Sequence, residues 1–296
     1  MDLTLLGTGC PQVDPARLGP ANLLRHGDLQ LLVDCGSGVT QQLVRAGSRG
    51  AALDAVFLTH LHSDHVVDLY QLVISSWHQG RDRPQRVFGP EGTRDFVERT
   101  MELWRPERER RIAHERRAST AALRIDVTEF ETGPIFAEQG LTVEAFAVDH
   151  RPWHPSFGFA FEAGGRRVVL SGDTVRCDAL IRAARGADVL VQDCFIRREM
   201  RLGPGRTEEG LRNVASYHAL SSDVGRIAAD AEVGCLVLNH FVPTQFDRPA
   251  LLAEVREHYA GPVVIGEDLM TISPETGELR FAGAVLNLGR RAREER

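Results

Sequence analysis

The sequence contains no lysine, so all 35 of its cationic side chains are arginine. That excludes a Schiff-base lysine and a phosphate-loop lysine. Its 5 cysteines (Cys10, Cys35, Cys177, Cys194 and Cys235) are odd in number, and no two form a CxxC pair. A disulfide framework is therefore disfavoured and a zinc ribbon excluded. No run of about 18 apolar residues occurs, so no transmembrane helix is expected. The start, Met1 to Gly7, has neither the basic residues nor the long apolar run of a signal peptide. A cytoplasmic protein is the expectation. There is no repeat and no low-complexity linker. Positive charge is in deficit, with 41 acidic against 35 basic side chains and a net charge of −6. That balance argues against wholesale nucleic-acid binding, which usually needs a basic face.

What is present is a chain of 296 residues, 43% hydrophobic and 26% charged, enough for a large core. Short apolar runs alternate with helical patterns, an α/β signature. The patterns predict strands at 3–6, 22–25, 30–34, 54–59 and 85–88, with helices at 40–46 and 66–76. A long charged helical stretch is expected from Gly92 to about Ala122. Its segment from Arg105 to Arg117 holds six arginines and three glutamates, which reads as a solvated, ion-paired face. Further strands are expected at 123–127, 141–148, 157–162, 167–171, 189–192, 235–239, 263–265, 269–272 and 279–282. Helices are expected at 178–184 and 221–231, and a frayed tail at 290–296.

The most informative segment is His60-Leu61-His62-Ser63-Asp64-His65, directly after an apolar strand. Three imidazoles and a carboxylate at a strand exit are the donors that zinc and similar divalent ions prefer. A tight loop converges such side chains, whereas a helix scatters them around its axis. His150, Asp173 and His240 stand at the ends of three further predicted strands. Together these residues supply two ions. One takes His60, His62 and His150, the other takes Asp64, His65 and His240, and Asp173 bridges them.

This arrangement closely resembles the metallo-β-lactamase fold superfamily, whose HxHxDH motif is followed by spaced His, Asp and His. Within it the chain is most similar to the ribonuclease Z and arylsulfatase-like branch. The resemblance runs through Gly7-Thr8-Gly9, Val33-Asp34-Cys35-Gly36, Thr59 to His65, Asp149-His150, Ser156-Phe157-Gly158-Phe159, Leu170-Ser171-Gly172-Asp173-Thr174, Asn239-His240-Phe241 and Gly266-Glu267-Asp268-Leu269-Met270. It implies a four-layer αβ/βα sandwich of two mixed sheets with helices outside. Because the ligands come from both halves of the chain, residues 1–296 are expected to form a single hydrolase domain. The resemblance also gives His218 a role at the leaving group or transition state. It makes Asp34 a buttress of the histidine loop. His154, Trp77, His78 and Tyr217 are candidates for the pocket.

The ligand set predicts a binuclear metallohydrolase in which a metal-bound hydroxide attacks the substrate and Asp64 orients it or takes its proton. Two divalent ions are expected, zinc by default, with manganese or iron as alternatives. Enzymes of the ribonuclease Z type usually carry a long arm for tRNA, often between the third His and the bridging Asp. Here residues 151–172 hold only a predicted hairpin. With the acidic charge balance, this favours a small-molecule ester, phosphodiester or sulfate, over nucleic acid, with no membrane partner and a homodimer as a further expectation. The alternatives are a lactone or β-lactam hydrolase, a hydrolytic dehalogenase and a ribonuclease Z-type tRNA 3′ endonuclease. A non-catalytic metal-dependent binding protein ranks last.

Overall fold

The computed structural model describes residues 1–202 and 205–290. Strands β1 (Asp2–Gly7), β2 (Ala21–His26) and β3 (Leu29–Val33) are antiparallel. Helix α1 (Val39–Arg45) leads to β4 (Ala55–Phe57), which lies parallel to β3. The single turn α2 (Ser63–Val66) and helix α3 (Leu69–His78) lead to β5 (Gln85–Gly89). Helices α4 (Thr93–Leu103) and α5 (Arg105–Glu115) lead to β6 (Ile125–Glu129), and β4, β5 and β6 are parallel. An antiparallel meander, β7 (Gly133–Glu138), β8 (Leu141–Ala147), β9 (Phe157–Ala163) and β10 (Arg166–Leu170), opens a second sheet. Helix α6 (Asp178–Ala184), β11 (Val189–Phe195), helices α7 (Glu208–Ala215) and α8 (Ser221–Asp230), β12 (Leu236–Val242), helix α9 (Arg248–Arg256) and β13 (Val263–Ile265) continue it with parallel strands. Strands β14 (Thr271–Ser273), β15 (Glu278–Phe281) and β16 (Ala284–Asn287) return to the first sheet beside β1. The orders are β16-β15-β14-β1-β2-β3-β4-β5-β6 and β13-β12-β11-β10-β9-β8-β7.

Strand side chains alternate between two environments, as the period of 2 requires. On β9, Phe157, Phe159 and Phe161 enter the core between the sheets, while Ala160 faces the helices. On β11, Val189 and Val191 point inward and Leu190 and Cys194 outward. The central core therefore joins Leu3, Leu31, Phe57 and Phe88 of one sheet to Val143, Phe159, Val168 and Val237 of the other. Helices α1, α3 and α4 cover the outer face of the first sheet through Val39, Leu43, Leu69, Leu72 and Val97. Helices α6, α8 and α9 cover the second through Leu180, Val224, Ile227, Leu251 and Val255. The result is the four-layer αβ/βα sandwich. One buried knot ties its ends together. The Asp268 carboxylate accepts from Thr8 N (2.9 Å), Thr8 Oγ1 (2.7 Å), Leu18 N (2.8 Å) and Gln42 Nε2 (3.0 Å).

The structure differs from the sequence expectations in several places. The long charged helix is two helices, broken at Trp104, because Pro106 has no N–H with which to continue α4 but fits the first turn of α5. No α5 residue is buried, and Arg111 pairs with Glu107 and Glu115 while Arg105 pairs with Glu102 and Glu109. Strand β7 went unpredicted because it contains Pro134. It is an edge strand, where proline is tolerated. Helices α7 and α9 and strand β16 were also unpredicted. The expected fraying falls mostly on 291–296, outside the described residues. Among the described residues no helix is long and apolar enough to cross a membrane.

Candidate metal centre

The parallel strands of both sheets end at one edge, where loops gather side chains in layered α/β folds. His60 and His62 lie in an extended segment after β4, and Asp64 and His65 lie in the helical turn α2. The six-residue motif is thus part loop and part helix rather than a loop throughout. His150 follows β8. Asp173 follows Gly172, whose φ of 62° and whose approach to Phe157 O, 2.5 Å from where a Cβ would stand, admit only glycine. His240 is inside β12, not beyond it. The register passes from Asp193↔Asn239 to Cys194↔Phe241, so His240 is the extra residue of a β-bulge, with φ 45°. The bulge aims its ring at the centre.

The structure brings the seven predicted donors together in two groups. In the first, His62 Nδ1 is 3.0 Å from His60 Nε2 and 3.2 Å from His150 Nε2. Asp173 Oδ2 is 3.9 Å from both His60 Nε2 and His150 Nε2. In the second, His240 Nε2 is 3.3 Å from Asp64 Oδ2 and 3.4 Å from Asp173 Oδ2. His65 Nε2 is 3.6 Å from Asp64 Oδ2 and 3.4 Å from Asp173 Oδ2. A tetrahedral ion with bonds of 2.0–2.1 Å spaces its donors by about 3.3 Å. The imidazole contacts of the first group and the whole second group lie close to that spacing, the Asp173 approaches to His60 and His150 are wider at 3.9 Å, and Asp173 reaches both groups.

Partners behind the rings fix which nitrogen carries the proton. Carboxylate and carbonyl oxygens only accept, so His65 Nδ1–H donates to Asp34 Oδ2 (2.8 Å) and His150 Nδ1–H to Tyr217 O (2.7 Å). The Thr59 hydroxyl donates to Asp34 (2.9 Å) and so accepts from His60 Nδ1–H at 3.0 Å. The other nitrogen of each ring, Nε2, is turned into the centre and can donate its lone pair there when the ring is neutral. His65 Nε2 is buried with no hydrogen-bond partner, a cost that a cation would remove. These residues fit a divalent metal.

The electrostatics agree. Burial, reinforced by the His65 ring, holds the His60 pKa well below the usual imidazole range. Burial and His150 push His62 down to about 4. Burial also lowers His150. These three rings are neutral donors. Burial opposes a charge on His65, but Asp173, Asp34 and Asp64 outweigh it and hold its pKa well above the ordinary value. For Asp173, burial is likewise overcome by His240 and His65, and its carboxyl stays well below the usual range. Three carboxylates around one buried ring demand positive charge there: the His65 ring takes it up as a proton, and a divalent ion would replace that proton and leave Nε2 free to donate.

Beside the donors, His218 Nδ1 is 3.1 Å from Asp193 Oδ2, and Asp193 Oδ1 accepts from Gln192 Nε2 at 2.6 Å. The sequence reading missed Asp193, although it stands on a strand leading to the same edge as Asp173. Tyr217 meets the centre through its backbone carbonyl and an edge-on ring contact with His150, 5.0 Å between centroids. Trp77 and His78 are not in the pocket. Trp77 is 2% exposed, packs with Val73, Ile74, Ala122 and Leu123, and donates Nε1–H to Ser119 O, because α3 turns its apolar face inward. His78 bonds to Ile74 O and faces Glu115. His154 is exposed on a separate cleft with Glu129 and Phe157, and none of the seven donors lines it. The missed aromatic is its neighbour Trp153, whose ring lies 4.6 Å from that of His62. On the Asp64 side a cleft of about 210 Å³ is lined by Cys10, Gln12, Ser37, Ser63 and Val67. Burial pushes the Cys10 thiol up to about 11, so it is no thiolate nucleophile.

Comparison with known proteins gives the context. The family model described as a beta-lactamase superfamily domain matches residues 30–241. Ribonuclease Z of Mycobacterium bovis is 38% identical over 276 residues, covering 91% of this chain and 96% of that protein. Ribonuclease Z of Mycolicibacterium paratuberculosis is 39% identical over the same span. Among solved structures, the metallo-beta-lactamase fold protein YhfI of Bacillus subtilis superposes with a TM-score of 0.72 at 22% identity, covering 92% of this chain and 99% of that one. The short form of human tRNase Z superposes at 0.68 with 26% identity and the same coverage. These relatives overturn the expectation of a small-molecule substrate with nucleic acid disfavoured. The charge balance and the missing arm did not warrant it, since the match spans nearly the whole of proteins named for an RNA-cleaving activity. The chain belongs to the beta-lactamase superfamily, in its ribonuclease Z branch, and is a metal-dependent hydrolase.

Proposed function

We propose that this protein hydrolyses a phosphodiester of RNA, as a tRNA 3′ endonuclease of the ribonuclease Z type. The observation that carries the reading is the match to proteins named Ribonuclease Z across 96% of their length. The donor geometry supports the chemistry. His60, His62, His150 and Asp173 would hold one divalent ion and Asp64, His65 and His240 a second, with Asp173 shared through its 3.4 Å approaches to His65 and His240 and zinc the expected metal. Bound there, the ions would polarise the scissile phosphoryl group and make a water acidic enough to attack at neutral pH.

The chain's own groups position and move protons around that event. Asp64 carries its carboxylate at the open side, where it can orient the attacking water and accept its proton. His218, its Nδ1–H engaged by Asp193, would use Nε2 to protonate the departing oxygen. Asp34 and Tyr217 O keep the donor nitrogens in the right tautomer. Donors from both halves of the sequence meet at one edge, which supports a single hydrolase unit.

The test is incubation of the metal-loaded protein with a precursor tRNA bearing a 3′ trailer, with product ends mapped at single-nucleotide resolution. One cut at the 3′ boundary of the tRNA body is expected. It should be abolished by a chelator, by His62→Ala and by Asp64→Ala, and restored to the wild type by added zinc or manganese. An uncut precursor alongside rapid hydrolysis of an aryl phosphodiester would overturn the proposal.

A further inference from the structure

One large aromatic side chain beside the donors stays exposed although its ring touches a donor imidazole. Among the described residues Trp104, Trp153 and Phe281 are the exposed tryptophan, tyrosine and phenylalanine side chains. Trp104 is stacked on Tyr70, 13° from parallel. Trp153 is 42% exposed and its ring sits 4.6 Å from the His62 ring, tilted by 41°. Its indole N–H makes no hydrogen bond to the described chain. The backbone that carries it is held: Trp153 N–H donates to His150 O at 3.0 Å, and Ser156 Oγ donates to Trp153 O at 3.4 Å. A broad apolar face is thus fixed at the mouth of a polar centre and left to solvent. Such a face forgoes its burial energy unless another planar group covers it.

We propose that Trp153 is the stacking platform for the nucleobase next to the scissile phosphodiester, and hence a specificity-determining residue. This rests on the RNA-cleaving reading above. The neighbouring chemistry favours a base over an apolar partner. His62 and Asp64 are partly exposed beside it, His154 is exposed next to it, and Arg151 is paired with Asp149. A charged, hydrated rim suits a nucleotide, whose base is planar and whose backbone is polar. Stacking tolerates every base, because each has a π-face, so Trp153 would favour a base at that position without reading its identity.

The experiment compares two esters with the same leaving group, a nucleoside 5′-(p-nitrophenyl phosphate) and methyl p-nitrophenyl phosphate. The ratio of their kcat/KM values reports what the base contributes. Trp153→Ala should lower that ratio about tenfold to a hundredfold, while Trp153→Phe keeps most of it. Metal content is measured in each variant. Equal kcat/KM for the two esters in the wild type, or an unchanged ratio in Trp153→Ala, overturns the proposal. So does a fall that tracks lost metal, since Trp153 would then merely brace His62. Independently of turnover, a single-stranded oligoribonucleotide should quench indole fluorescence in the wild type but not in Trp153→Phe, and equal responses count against stacking. The precursor separates this from the broader reading. If tRNA is not cut, the RNA function fails whatever the ester ratio shows. If it is cut, an abasic nucleotide beside the scissile bond should slow the wild type as much as Trp153→Ala does, and the two changes together should add no more.

Discussion

Asp34→Asn is the sharpest probe of how the centre is organised. Asp34 is 4% exposed and sits at φ 62°, a conformation that asparagine tolerates well. Its Oδ1 accepts Thr59 N–H at 2.8 Å, and its Oδ2 accepts His65 Nδ1–H at 2.8 Å. In the variant the amide oxygen can keep the Thr59 bond, which turns the NH₂ group towards His65. Nδ1 must then accept, and the imidazole proton moves to Nε2, the nitrogen aimed at the centre. Flipping the amide instead leaves the buried Thr59 N–H facing a donor, at about 1–3 kcal/mol. The metal-free protein can adopt the altered tautomer and should fold almost normally. To bind metal, His65 must move its proton back to Nδ1, where it meets the amide NH₂ in place of the carboxylate whose charge-assisted bond in the wild type is worth about 1.5–3 kcal/mol. That corresponds to a metal affinity weakened by about 10–100-fold, the usual effect of removing such a partner. The assay is competition for zinc against a chromophoric chelator, with thermal unfolding of the metal-free forms in parallel. Wild-type affinity in Asp34→Asn would refute the tautomer argument. A large loss of apo stability would show instead that Asp34 serves the fold.

Three further outcomes follow from the placement of other residues. Asp193→Asn should turn an amide NH₂ to His218 Nδ1, because Gln192 Nε2 holds the other oxygen. The ring would then be in the wrong tautomer, and kcat for the precursor should fall by up to about 10²–10⁴-fold with metal content unchanged; unaltered kcat would remove His218 from the reaction. Trp77→Ala should destabilise the fold by about 3–5 kcal/mol in denaturant titrations, since Trp77 fills the small core beneath α3. His78→Ala should leave turnover intact, and a specific loss of kcat in either folded variant would return them to the site.

The donor set was legible because it is largely local. Six consecutive residues after an apolar strand hold four of the seven donors, and short-range sequence order guarantees their proximity. The alternation that separates Phe159 from Ala160 was equally readable, because strand side chains repeat every 2 residues whatever the partner strand. Gly172 was legible as part of a motif, but the close approach of Phe157 O that demands it was not. The error over Trp77 and His78 came from reading nearness in sequence as nearness in space. A helix rotates by about 100° per residue, so α3 carries residues close to the motif into a separate core.

The misjudged substrate has a related cause. Net charge sums the whole surface, whereas recognition depends on one face and one mouth. The sequence by itself determined the chemical types of the donors, the alternation of strands with helices, and the absence of lysine and disulfide chemistry. Only the tertiary structure decided how residues from 34 to 240 meet. The bulge that turns His240 inward, the Asp34 and Asp193 carboxylates that set ring tautomers, and the exposure of Trp153 over His62 all depend on registers between strands distant in the chain. Those registers are fixed by packing across the whole sandwich, and no short window of sequence contains them.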